Sequence, residues 1–203
     1  RTGLRLAMAE EGMHLTMEYE IYVDAQQQRE VELRLKTLHR IDLFASMTEQ
    51  ELKWLAEHLR FTPFAKGNLI TRQGDQQSHG LYILIRGEAE VFLTAENGER
   101  RQLNVLRKGD FFGEMALLTG APRRASVMAL TDVECYRLDK DAFEEILRAR
   151  PSIAEEVSHM LAVRTAQLNS AKQDIDAVAH RPDVAQSSSE ILATIRRFFS
   201  LGK

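Results

Sequence analysis

The residues best suited to chemistry lie in one run, Gly109-Asp110-Phe111-Phe112-Gly113-Glu114-Met115-Ala116-Leu117-Leu118-Thr119-Gly120-Ala121-Pro122-Arg123-Arg124-Ala125-Ser126-Val127. Gly113 permits backbone conformations that other residues resist, and it lets a bound group approach the chain closely. Glu114 to Leu118 suit a single helical turn, whose free N–H groups face an anion. Arg123 follows nine residues after Glu114, and its guanidinium fork takes two phosphate oxygens at once. Glu114 is the opposite type, an acceptor for a sugar hydroxyl. A phosphate clamp, a hydroxyl acceptor and bare backbone donors in one loop match a sugar phosphate with free hydroxyls. Taken singly, Arg123 and Glu114 read as a solvated ion pair and Gly113 as an ordinary turn glycine. Their combination within a series of short strands points to a ligand.

Those strands begin after Pro63. Gly67, Gly74-Asp75, Gly80, Gly87, Asn97-Gly98, Gly109-Asp110, Gly113 and Gly120 punctuate the stretch, which holds most of the 11 glycines. Close spacing of short strands predicts an α+β fold built on an eight-stranded antiparallel β-roll, or jelly roll, with flanking N- and C-terminal helices. Asn97-Gly98, between Val91-Phe92-Leu93 and Leu103 to Leu106, is a hairpin signal. Before the strands, Thr48 and Glu51 form a capping box for a helix with Leu52, Leu55, Ala56 and Leu59 on its apolar face. After them, Asp139 or Asp141 starts a short helix containing Phe143, Ile146 and Leu147. Pro151 suits the first turn of a longer helix reaching about Val178, which Pro182 ends. Ala154, Leu161, Leu168 and Ile175, with Val157, Arg164, Ala171 and Val178, form a weak heptad seam. It suits either a dimer or packing against the roll.

Composition narrows the classes. The chain has 203 residues, 44% of them hydrophobic, and a net charge of −3, which fits one core plus extra segments and argues against a general nucleic-acid binder. The single cysteine, Cys135, excludes an intrachain disulfide. The six histidines are scattered, with only His79 among the strands and no HxH or HExxH spacing, so no metal site is expected. No Ser/His/Asp set or Gly-Lys-Ser/Thr phosphate loop is visible. Nothing positions a water or nucleophile at the phosphate, so binding without catalysis is the expected class and no enzyme is assigned. No apolar run approaches the roughly 18 residues of a membrane span.

The central run resembles the phosphate-binding cassette of cyclic-nucleotide-binding domains, in the fragments Phe112-Gly113-Glu114-Met115-Ala116-Leu117 and Pro122-Arg123-Arg124-Ala125-Ser126-Val127. Phe64, Gly67, Ile70, Gly74-Asp75, Tyr82-Ile83, Gly87 and Val91 fit the same family, and the similarity covers about Leu43 to Arg164. The resemblance implies that Gly113, Glu114, Met115, Ala116, Arg123, Arg124 and Ser126 are the ligand-binding residues. Arg123 would hold the cyclic phosphate and Glu114 the ribose 2′-hydroxyl. Backbone groups of Gly113 and Ala116 would complete the cradle, and Ser126 would bond near the phosphate or base. Val91, Leu103 and Val105 would flank the base or belong to the core. The helix after Pro151 would close as a lid. Arg124 stands where the family often has a small residue, or Thr for guanine, which leaves cAMP and cGMP both open, with cAMP the leaning. Its plain reading is a side chain pointing to solvent.

The ends suggest context. Leu4 to Gly12, helix-leaning, and His14 to Val23, alternating like a strand, resemble the end of the cytoplasmic domain of small-conductance mechanosensitive channels. Residues 1–45 therefore read as the tail of a preceding domain plus a linker helix over 26–44, residues 46–165 as the nucleotide domain, and 166–203 as a helical extension. The chain opens on Arg1, which suggests a fragment. Ile191, Leu192, Ile195, Phe198 and Phe199 line one face of a final helix beside Arg196 and Arg197; it would dock on the domain, pair with a neighbour, or touch membrane. The expectation is a cyclic-nucleotide sensor gating an attached channel, a homo-oligomer on the cytoplasmic side of an inner or plasma membrane. The alternative is a soluble regulator of the transcription-regulator or kinase-regulatory type. Only 25 residues follow Val178, too few for a helix-turn-helix, so no nucleic-acid partner is expected.

Overall fold

Thr48 fixes where the helical entry begins. Its hydroxyl accepts from the Glu51 N–H at 3.3 Å, and its own N–H donates to the Glu51 carboxylate at 2.7 Å, so both halves of the capping box form. In the computed structural model, which describes residues 25–173 and 184–201, this cap opens α2 (Glu49–His58). Ahead of it lie α1 (25–38) and a 3-10 turn (Asp42–Phe44). The strand expected at His14–Val23, the segment Leu4–Gly12, and Ile175, Val178 and Pro182 lie outside the described residues.

Eight strands follow: β1 (Arg60–Phe64), β2 (Leu69–Thr71), β3 (Leu81–Arg86), β4 (Ala89–Thr94), β5 (Arg100–Leu106), β6 (Phe111–Phe112), β7 (Ser126–Ala129) and β8 (Val133–Leu138). A short helix, α3 (Glu114–Thr119), interrupts them. They form two antiparallel four-stranded sheets, β1-β8-β3-β6 and β2-β7-β4-β5. Asn97-Gly98 turns β4 into β5, with Gly98 at φ 85°, the left-handed conformation such a hairpin requires.

The apolar run Leu81–Ile85 is explained by its two faces. Tyr82 and Leu84 enter a core between the sheets, with Ile70, Leu106, Phe112, Val127 and Cys135. Leu81 and Ile83 point the other way, into a core roofed by helices. A strand covered on both faces loses the polar alternation of a half-exposed one. Burial pushes the Cys135 thiol up to about 12, so it packs as a small apolar group.

The helical roof comprises α2, α4 (Lys140–Ala149), α5 (Ile153–Gln173) and α6 (Val184–Phe198). Asp139 precedes α4, but its carboxylate pairs with Arg137 at 2.7 Å instead of capping the helix. Helix α5 opens at Ile153, two residues after Pro151, because Pro151-Ser152 form a preceding turn in which the Ile153 N–H donates to the Arg150 carbonyl. Ala154, Val157 and Leu161 of the heptad seam are buried in this chain's own core. Among the three expectations for the final helix, docking is what forms. Ile195 and Phe199 are buried in the same core, and Arg196 pairs with Glu155 of α5 at 2.8 Å. Among the described residues, no helix is long and apolar enough to cross a membrane.

Candidate ligand-binding cassette

Two left-handed glycines bracket α3. Gly113 precedes it at φ 88° and Gly120 ends it at φ 68°, its N–H donating to the Ala116 carbonyl. Leu117 and Leu118, both fully buried in the helical core, anchor the helix between them; burial of each contributes about 1.5–3 kcal/mol. Glu114, the first residue of α3, is half-buried and has no side-chain hydrogen bond or ion pair among the described residues. Met115 packs on the helical core, and Ala116 is buried.

Arg123 is held by its backbone before its side chain is considered. Its N–H donates to the Asp75 carbonyl at 2.9 Å and its carbonyl accepts from the Gly74 N–H at 2.8 Å. The side chain then turns inward and is 4% exposed. Nη1 donates to the Gly113 carbonyl at 3.3 Å, and Nη2 to the Gly80 carbonyl at 2.7 Å and the Ser78 hydroxyl at 3.2 Å. The guanidinium carbon lies 5.8 Å from the Tyr82 ring centroid. Nε is buried without a hydrogen-bond partner. Among the described residues, no carboxylate reaches ion-pair distance. Burial pushes the guanidinium pKa below its usual value, opposed by Tyr82, Asp75 and Glu114 and assisted by Arg137. A buried charge is normally paired with its opposite; this one leans on neutral oxygens and keeps a donor spare.

The other expected residues divide. Gly113 and Arg123 are in contact, and Glu114 follows Gly113 in the chain. Ser126 opens β7 and is buried, its hydroxyl accepting from the Gln73 N–H at 3.0 Å. Arg124 is exposed, with no side-chain bond or ion pair among the described residues. Val91 packs on the inter-sheet core, whereas Leu103 and Val105 are half-buried on β5 and join neither core. Helix α5 packs on the 3-10 turn and on α6, and it is α6 that lies against α3.

Residues 61–150 match the family model of the cyclic nucleotide-binding domain. The chain carries such a domain. Over 110 residues it is 41% identical to a cAMP-dependent protein kinase regulatory subunit from Hypocrea atroviridis, covering 54% of this chain and 22% of that relative's length. The N-terminal domain of a transcriptional regulator from Streptomyces coelicolor superposes with TM-score 0.57 at 27% identity, over 66% of this chain and 93% of that one. The regulatory subunit of a cAMP-independent protein kinase A from Trypanosoma cruzi, bound to guanosine, superposes with TM-score 0.53 at 27% identity, over 60% of this chain and 43% of that one. The candidate residues Gly113 to Ser126 all fall inside the matched domain.

Two parts of this cyclic nucleotide-binding domain escaped sequence reasoning. One is the loop Ser78–Gly80, which supplies two of Arg123's acceptors. Gly80 registers in the sequence only as punctuation, yet a β-carbon there would lie 2.9 Å from Arg137 Nε. The other is His79, whose ring stacks on Phe198 at 5.4 Å between centroids. Burial first, then the positive charges of Arg123 and Lys140, lower its pKa, while Asp75 opposes them. His79 and Phe198 line a neighbouring cavity of about 760 Å³ with Arg137, Asp139 and Lys140; the cassette residues do not border it.

Proposed function

We propose that this chain is a non-catalytic regulatory module that binds a cyclic nucleotide, cAMP first, through the cassette Gly113–Ser126. The observation that carries the reading is Arg123, a buried cation that touches no carboxylate among the described residues and keeps an unpartnered Nε–H. A cyclic phosphate supplies the missing charge. Charge-assisted bonds to phosphate oxygens are stronger than those to the neutral oxygens of Gly113, Gly80 and Ser78. Glu114, which makes no side-chain hydrogen bond or ion pair among the described residues, accepts from the ribose 2′-hydroxyl. Backbone groups of Gly113 and Ala116 flank the phosphate, Ser126 bonds beside it, and Met115 anchors the cassette helix. No reaction step is assigned, and the ligand acts by shifting a two-state element.

Calorimetric titration with cAMP and cGMP tests the reading, with Arg123→Ala as control. The substitution is expected to cost on the order of 2–4 kcal/mol in binding, roughly 30- to 1,000-fold in Kd. Equal affinity in the two proteins would sink the assignment.

The finer reading takes residues 46–165 as the sensor and an attached channel of the small-conductance mechanosensitive type as the effector, on the cytoplasmic side of a bacterial membrane, in a homo-oligomer. Its support is the sequence pattern of Leu4–Val23, a helix-leaning run, Gly12 and a run alternating at period 2. Patch recordings of the full-length protein with and without cAMP test it: a nucleotide-dependent open probability is expected, and absence of any conductance rejects it. A second reading, a soluble cAMP-responsive regulator, is favoured by the likeness to the Streptomyces coelicolor transcriptional-regulator domain. Recovery of the full-length protein in the soluble fraction would select that reading.

A further inference from the structure

The last turn of α6 meets the cassette at three places. The Phe198 ring lies against Gly120, its Cδ2 2.5 Å from where a β-carbon of Gly120 would sit. The same ring stacks on His79 with an interplanar angle of 24°, and Lys140 Nζ lies 4.2 Å from its centroid. One side chain therefore bridges the end of α3, the loop Ser78–Gly80 and the start of α4. That loop is where Arg123 donates, to the Ser78 hydroxyl and the Gly80 carbonyl. The helix is also fastened by buried Ile195 and Phe199 and by the Arg196–Glu155 pair. Phe198 is half-buried, packs against the same core and meets the Phe199 ring edge-on at 5.1 Å between centroids.

We infer that Phe198 is a positioning residue that sets the affinity of the cassette. Seated on Gly120 and His79, it holds the loop Ser78–Gly80 against Arg123 and keeps the guanidinium engaged with the protein's own oxygens. A ligand phosphate must draw Arg123 away from those oxygens, so docked Phe198 and bound ligand compete. The inference rests on the phosphate-binding role of Arg123. Coupling of this kind is reciprocal: what weakens ligand binding when docked is itself loosened when ligand binds.

The experiment uses the whole chain and cAMP as probe. Phe198→Ala is expected to bind cAMP about 5-fold or more tighter than wild type, within the usual span of such couplings, and Phe198→Tyr, which keeps the ring, to restore the wild-type value. Hydrogen exchange of amides 190–199 in the unaltered chain is expected to speed up at saturating cAMP; this arm reads the coupling even where a substitution harms folding. A purely structural Phe198 would leave affinity unchanged or weaken it, and ligand would leave the exchange of 190–199 unaltered; either result overturns the inference. Binding by neither wild type nor Phe198→Ala overturns the Arg123 reading and this inference with it. Equal binding by both overturns this inference alone.

Discussion

A β-carbon on Gly113 would fall against Nη1 of Arg123 and 2.6 Å from the Gly80 carbonyl oxygen. The cation, its acceptor loop and the start of α3 thus meet where one residue must have no side chain. Gly113 also sits at φ 88°, a conformation costing other residues on the order of 1–3 kcal/mol. Gly113→Ala therefore displaces Arg123 and strains the turn together. We expect a stability loss of about 1–3 kcal/mol in urea unfolding and loss of cAMP binding in calorimetry. A variant with native stability and native affinity would show that the contact is not needed.

Ser126 links the cassette to the adjacent strand. Its oxygen accepts the Gln73 N–H, while the Gln73 side chain accepts the Thr94 N–H at 2.9 Å, so β2, β4 and β7 are tied at one end. Ser126→Ala leaves a partly buried donor without its acceptor, at a cost of about 1 kcal/mol. Chemical denaturation checks the stability, and calorimetry should show a smaller loss of cAMP affinity than Arg123→Ala. A larger loss than that would transfer the principal phosphate contact to Ser126.

What the sequence disclosed depended on whether the signal was local. The Thr48–Glu51 box spans three positions and forms as read. The Asn97-Gly98 turn is equally local. The strands were legible from their glycine punctuation, but which face of Leu81–Ile85 met which core was not, because both faces are apolar. Within the cassette, Gly113 and Arg123 were legible by type and spacing, whereas Arg123's acceptors were not. Gly80 and Ser78 lie 43 and 45 positions away, and a backbone carbonyl has no residue-type signature. The neighbour of α3 was hidden for a related reason. The amphipathic faces of α5 and α6 are both visible in the sequence, but periodicity does not say what each face meets, and α6 takes the place against α3.

Arg124 tests whether proximity in sequence means participation. It is exposed beside the buried Arg123 and pairs with nothing among the described residues. An exposed charge acts on an anionic ligand through a screened field, with a reach near 8 Å at physiological salt. Arg124→Ala is expected to leave the cAMP-to-cGMP affinity ratio unchanged and to weaken both about 2-fold or less at physiological salt, more at low salt. Calorimetry at two ionic strengths measures this. A changed ratio would make Arg124 a base-reading residue.

His79 supplies a pH dependence whose sign is fixed by its surroundings. Burial and the charges of Arg123 and Lys140 put its folded-state pKa below the ordinary 6.5. Between that lowered value and 6.5 the unfolded chain holds a proton that the folded chain does not, so acidification favours unfolding. The contribution is constant above that window and declines as pH falls through it. His39 works in reverse: its bonds to the Glu49 carboxylate and the Leu35 carbonyl raise its pKa, so its stabilisation is fully present below 6.5 and is lost as pH rises through the raised value. Unfolding free energies of wild type, His79→Gln and His39→Gln, measured from about pH 7.5 to about pH 5, separate the two. The stability advantage of wild type over His79→Gln is expected to shrink towards acid, and that over His39→Gln to grow. A flat difference for His79→Gln would mean that its ring titrates alike in the folded and unfolded chain and does not feel the charge of Arg123.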